Sequence, residues 1–131
     1  MKLAILLILS LNVFCHELDY KNYLSLQNSL VEGDLNKALK SWKTMCTKEL
    51  GHYAKDYKYG DCEKNIKSVS TLRTSFKLLS EIYIKNGKSL ENSDLKIVKC
   101  PMAKARWIQK GSSINNPYYG KKMLTCGEIE S

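Results

Sequence analysis

Apolar residues recur along the first two thirds of the chain in steps of three and four. Tyr20, Tyr23, Leu24, Leu26, Leu30 and Val31 form one stripe, and Leu35, Ala38, Leu39, Trp42, Met45 and Cys46 form a second. A longer third stripe runs through Ile66, Val69, Leu72, Phe76, Leu79, Ile82 and Tyr83. Such spacing returns side chains to one face of an α-helix. It predicts helices over about residues 19–32, 35–49 and 61–86. Asp19 and Asp34 stand where a carboxylate can accept from the free N–H groups that open a helix. Gly33 supplies the left-handed residue that ends the first helix, and Asn86-Gly87 ends the third. The very short break at Gly33 implies that the first two helices run antiparallel.

From Leu95 the period changes. Residues 95–99 alternate apolar and polar, and Ala105 to Gln109 reads as an antiparallel partner anchored by Trp107. Pro117 excludes helix at Asn116. Gly120 ends that turn, and Lys121 to Thr125 has the length of a single helical turn. The fold predicted is mainly α: a three-helix antiparallel bundle with a small C-terminal β-hairpin and an irregular tail. Residues 51–60, GHYAKDYKYG, show no period and read as a loop.

With 131 residues the chain has the size of one domain. Residues 1–15 read as a signal peptide: Lys2, an apolar run over residues 3–9, and a cleavage point after Cys15. That run is too short to span a bilayer. The mature domain is then residues 16–131, periplasmic or secreted. Acylation of Cys15 is the competing reading, and bulky Phe14 before it weighs against a lipoprotein. No other stretch reads as a transmembrane segment. The formal charge of +8 would suit an anionic lipid or cell-wall polymer. The lysines are spread along every predicted helix, however, which reads as a solvated face. Basic and aromatic residues do not interleave as in a nucleic-acid motif. No Ser/His/Asp order, G-x-S-x-G, H-E-x-x-H or phosphate loop occurs, so the chain does not read as an enzyme.

The candidate chemistry is that of sulfur. Cys46, Cys62, Cys100 and Cys126 remain after signal removal, and export favours disulfides. Four cysteines allow three pairings. A Cys46–Cys62 bond would tie the second helix to the third, and a Cys100–Cys126 bond would staple the tail. Alternatively, Cys100, Met102, Met123 and Cys126 bracket the tail as four soft donors, a set that selects Cu(I) or Ag(I) over hard cations. His52 reads as a surface residue. His16 becomes a chelating N-terminus only if cleavage follows Cys15.

The tail also carries a resemblance. C-P-M-A at Cys100 to Ala103, W-I at Trp107 and Ile108, and I-x-N-P-Y-Y-G-x-x-M-L-x-C-G from Ile114 to Gly127 resemble the signature of the exported bacterial family DUF3347. Y-L-x-L-x-x-S-L-V from Tyr23 and L-R-x-x-F-x-x-L-S from Leu72 extend it over nearly all of the mature chain. In that signature Pro101, Trp107, Asn116, Pro117, Tyr118, Tyr119, Gly120 and Gly127 are the structural positions. The family occurs with copper/silver efflux adaptors of the CusB kind. The resemblance therefore implies copper traffic, with a periplasmic adaptor or another envelope protein as partner. C-P-M is also similar to the C-P-M-H-P of heavy-metal modules, but Ala103 replaces the histidine. The function implied is a soft-metal carrier or accessory to metal efflux. The alternative is a disulfide-stapled envelope interaction domain without metal.

Overall fold

The structure is a computed structural model that describes residues 19–48, 50, 62, 64–87, 90 and 93–131. The segment read as a signal peptide, His16, the loop containing His52 and the start expected for the third helix at residue 61 lie outside the described residues. Helix α1 spans Tyr20–Glu32. Asp19 caps it by accepting from the Lys21 N–H at 2.9 Å. Gly33 closes it at φ 76°, a left-handed conformation that glycine adopts without steric penalty. Helix α2, Leu35–Lys48, starts at once, with Asp34 accepting from the Lys37 N–H. The two helices form a hairpin. Ser41 donates across it to Ser25 Oγ at 2.9 Å.

Helix α3 spans Val69–Asn86 and begins later than the stripe predicts. Ser68 is its cap, accepting from the Thr71 N–H at 3.1 Å. Ile66 is buried although it precedes the helix. Its three-residue spacing from Val69 is what places it on the helical stripe. Cys46 and Cys62 stand at disulfide distance, with sulfurs 2.06 Å and Cα atoms 5.6 Å apart, inside the range a disulfide requires.

Strands β1, Leu95–Cys100, and β2, Ala105–Lys110, pair antiparallel in the register Val98 with Trp107 and Cys100 with Ala105. A third strand, β3, Glu128–Ile129, pairs with the other edge of β1, so the order is β2-β1-β3. Two tyrosine hydroxyls reach the outer edge of β2. The Ile108 N–H donates to Tyr23 Oη at 3.0 Å, and Tyr118 donates to the Arg106 carbonyl at 2.7 Å. Both edge groups are thereby satisfied without another strand, which blunts an edge that would otherwise template pairing.

One core joins helices and sheet. Tyr23, Leu26, Leu30, Trp42, Leu72, Phe76 and Leu79 are buried together with Val98, Trp107 and Ile108. Each large side chain so buried contributes about 1.5–3 kcal/mol. The expected three-helix bundle with an appended two-stranded hairpin is therefore corrected: three helices and a three-stranded antiparallel sheet share the core, an α+β arrangement. The physical reason is that a helical stripe shows which face is buried and not what covers it. Here the aromatic residues of α1 and α3 meet the tail. Tyr23 packs on Phe76 with ring centroids 5.1 Å apart, and Phe76 on Tyr118 at 5.9 Å.

Candidate functional site

Strand pairing brings two of the four predicted soft donors together. β1 pairs Lys99 with Glu128, and one more step of that register sets Gly127 beside Cys100. Cys126 therefore arrives next to the end of β1. The two sulfurs are 2.8 Å apart and both cysteines are free. Cys100 is buried and Cys126 is half-buried. The Ala103 N–H points at Cys100 Sγ from 3.4 Å. The Cys126 thiol is pushed above its ordinary pKa, chiefly by its hydrogen bond to Cys100 and secondly by desolvation.

The signature residues around this pair build the approach. Pro101 opens a four-residue turn whose carbonyl accepts from the Lys104 N–H at 3.1 Å. Asn116 is fully buried and staples the tail at two points: its Nδ2 donates to the Cys126 carbonyl at 2.7 Å, and its N–H donates to the Leu124 carbonyl at 2.7 Å. Its Oδ1 accepts from the Tyr118 N–H, which fixes the turn after Pro117. The Tyr118 hydroxyl is buried, and desolvation raises its pKa. Gly127 is required for closeness. A Cβ there would stand 2.8 Å from the Trp107 ring and 2.9 Å from Val98. The 3-10 turn Gly120–Met123 ends at Met123, whose carbonyl accepts from the Cys126 N–H at 3.1 Å. Gly120 takes φ 60° beside the Arg73 guanidinium. Trp107 is fully buried, and Tyr119 is half-buried on the core.

Met102 is 64% exposed at the tip of the hairpin turn. Met123 is half-buried at the end of the 3-10 turn. The sulfurs brought together are thus those of Cys100 and Cys126. No cluster of three or more His, Cys, Asp or Glu occurs among the described residues, so the donors seen do not make the four-ligand set of a structural zinc site. Two adjacent thiols fit a soft monovalent d10 ion. At metal–sulfur distances of about 2.3 Å, two sulfurs on one ion stand roughly 3.8 Å apart at the tetrahedral angle and about 4.6 Å apart when collinear. A disulfide needs about 2.05 Å. The observed 2.8 Å lies between the disulfide and ion-sharing distances.

Two residues that organise the tail were not singled out by sequence reasoning. Gln109 is buried in β2. It accepts from Trp107 Nε1 and from the Asn115 N–H, and it donates to the Gly111 and Ser113 carbonyls. Arg73 on α3 donates to the Pro117 carbonyl and to the Leu30 carbonyl, both at 2.8 Å. Polar residues in an apolar stripe carry no local signal of such roles. Arg106 is clamped between Glu81 and Glu130, which together raise its pKa despite partial desolvation. Lys110 faces Asp94 at 3.7 Å.

No family model, no curated protein and no solved structure matches the chain.

Proposed function

We propose that this is an exported protein that binds Cu(I) or Ag(I) through the reduced Cys100–Cys126 pair, as a small carrier or accessory to metal efflux. The observation that supports it is the 2.8 Å approach of the two thiols beside a half-exposed surface. Thiolates are soft donors, and a pair of them favours Cu(I) over the hard cations that carboxylates take. Both thiols release their protons to solvent on binding, and the monovalent ion bonds both thiolates in place of the S–H hydrogen bond, leaving one net negative charge at the site. Met123 is the nearer candidate for a third donor along the chain, and exposed Met102 is free to deliver or receive an ion at the rim. The test is metal analysis after anaerobic loading of the reduced mature protein. About one Cu(I) per chain is expected, and none in Cys100→Ser. Equal copper content in both would overturn the reading.

A second reading has its own observation: 2.8 Å is nearer to a disulfide than to two sulfurs sharing an ion. Under it the pair is a staple in an envelope interaction domain. The two readings meet if the pair binds metal when reduced and closes when oxidised. Mass spectrometry of freshly exported protein without reduction separates them. A fully linked Cys100–Cys126 peptide that reductants of the compartment leave intact would support the staple.

A further inference from the structure

A second recess is lined by residues of α3 and of the tail, none of them a sulfur residue. It is an open hollow of about 320 Å³ lined by Ser70, Arg73, Thr74, Lys77 and Tyr119, together with Ala103 and Tyr118. Ser70, Arg73, Thr74 and Lys77 follow one another at steps of three and one along α3, so the helix presents them on one face. Two cations line this hollow and no carboxylate does. The recess beside Cys100 is different. There Lys99 is paired with Glu128 at 3.1 Å, and Arg106 with Glu81.

Arg73 and Lys77 enter no ion pair among the described residues. Each is held instead by neutral carbonyls. Arg73 spends Nε on Pro117 and Nη2 on Leu30, and Lys77 spends one Nζ proton on Ala103 at 3.1 Å. The Leu30 carbonyl ends α1 and brings the partial negative charge of a helix C-terminus. That leaves most of two formal positive charges without a counter-charge. The Arg73 Nη1 and two Lys77 protons have no partner among the described residues. Burial of Arg73 disfavours its charged form, which is the cost of leaving a cation there unpaired. The guanidinium is also fixed in place: Gly120 passes so close that a Cβ would lie 3.0 Å from Nη2. A preorganised cation, a second flexible cation and neighbouring hydroxyls form the donor set that recognises an oxyanion.

We propose that this recess is an oxyanion-binding site that takes one phosphate or carboxylate group of a small molecule. Arg73 supplies Nη1, Lys77 supplies its remaining Nζ protons, and the Ser70 and Tyr119 hydroxyls complete the contact. The proposal is independent of metal binding, because none of its donors is a sulfur.

The experiment is an amide NMR titration of the mature protein with sodium phosphate and, separately, sodium acetate, at ionic strength held constant with sodium chloride. Saturable shifts confined to Ser70, Arg73, Thr74, Lys77 and Tyr119 are expected. Tighter phosphate binding assigns the site to phosphoryl groups, and tighter acetate binding assigns it to carboxylates. Arg73 also clamps the fold, so the diagnostic variant is Lys77→Gln, with its melting temperature checked. It should weaken the anion roughly tenfold, the scale of one charge-assisted contact. Lys99→Gln, in the recess already supplied with carboxylates, should leave binding unchanged. Shifts that never saturate, or equal binding by the Lys77→Gln variant and the unaltered protein, would overturn the proposal.

Discussion

The two cysteine pairs make a useful contrast. Cys46 and Cys62 are 16 residues apart, at bonding distance, and packed on the core beside the helices. Cys100 and Cys126 are 26 residues apart, unbonded, and held by a strand register and a hydrogen-bonded tail. In the first pair the covalent bond itself ties together segments that no strand pairing joins. In the second, the fold already brings the sulfurs together. β3, Asn116 and Gly127 position Cys126 whether or not a bond forms. A pair that needs no bond to stay together has its sulfurs left for other chemistry.

The largest effect should come from the first pair. Replacing Cys46 and Cys62 together by alanine should cost about 3 kcal/mol, as expected for closing a loop of this length. Denaturant unfolding would measure it, and a cost near zero would show that the bond is incidental. For the second pair the corresponding lever is Gly127→Ala. The added methyl would press on Trp107 and Val98, at about 1–3 kcal/mol. It should also push Cys126 away from Cys100, so that mild oxidant links the pair more slowly. Unchanged linking rates would mean that Gly127 does not set the sulfur approach.

Acid–base behaviour offers a finer test. Cys126 is the hydrogen-bond partner of Cys100, and that bond raises its pKa. A raised thiol pKa keeps the proton on sulfur at neutral pH, and only the thiolate is nucleophilic. The rate of Cys126 alkylation, read by mass spectrometry, should therefore rise with pH through a midpoint above the ordinary cysteine value of about 8.5. Cys100→Ala removes the partner and should lower that midpoint. A midpoint below the ordinary value in the unaltered protein would contradict the assigned geometry. The smallest effect is expected at the rim. Met102 is largely exposed, so Met102→Leu should change stability by less than about 0.5 kcal/mol in a thermal melt.

Much of this was legible in the sequence, for physical reasons that differ by region. The stripes of α1 and α2 and their caps at Asp19, Gly33 and Asp34 follow local rules, and the helices begin and end where those residues dictate. The hairpin was legible as two short runs holding Ile97, Val98, Trp107 and Ile108, residue types that favour strands. β3 was not: Glu128 and Ile129 are both exposed, and they form a strand only because β1 offers an unpaired edge. The bundle was misread because Phe76 and Tyr23 look the same in sequence whether they face another helix or Tyr118 of the tail. At the site, the meeting of Cys100 and Cys126 depends on a register between strands about thirty residues apart along the chain. No spacing rule states that; the soft character of the residues and the tendency of exported cysteines to pair were what pointed to it. Arg73 had no role in the sequence reading because nothing local reveals that Pro117 and Leu30 will turn their carbonyls toward it.

The most direct test of the account is a competition titration of the reduced protein against a Cu(I) chelator. Cys126→Ser and Met123→Leu are run beside the unaltered chain. Serine replaces a soft thiolate with a hard hydroxyl, so Cys126→Ser should lose tight binding altogether. Leucine keeps the volume of methionine, so Met123→Leu should keep its apo melting temperature within the cost of a volume-conserving swap, below about 1.5 kcal/mol. Any fall in its affinity then measures a third donor. The account predicts one tightly held Cu(I) in the reduced protein and none once Cys100 and Cys126 are linked by oxidation. The same copper affinity in the reduced, oxidised and Cys126→Ser proteins would contradict it.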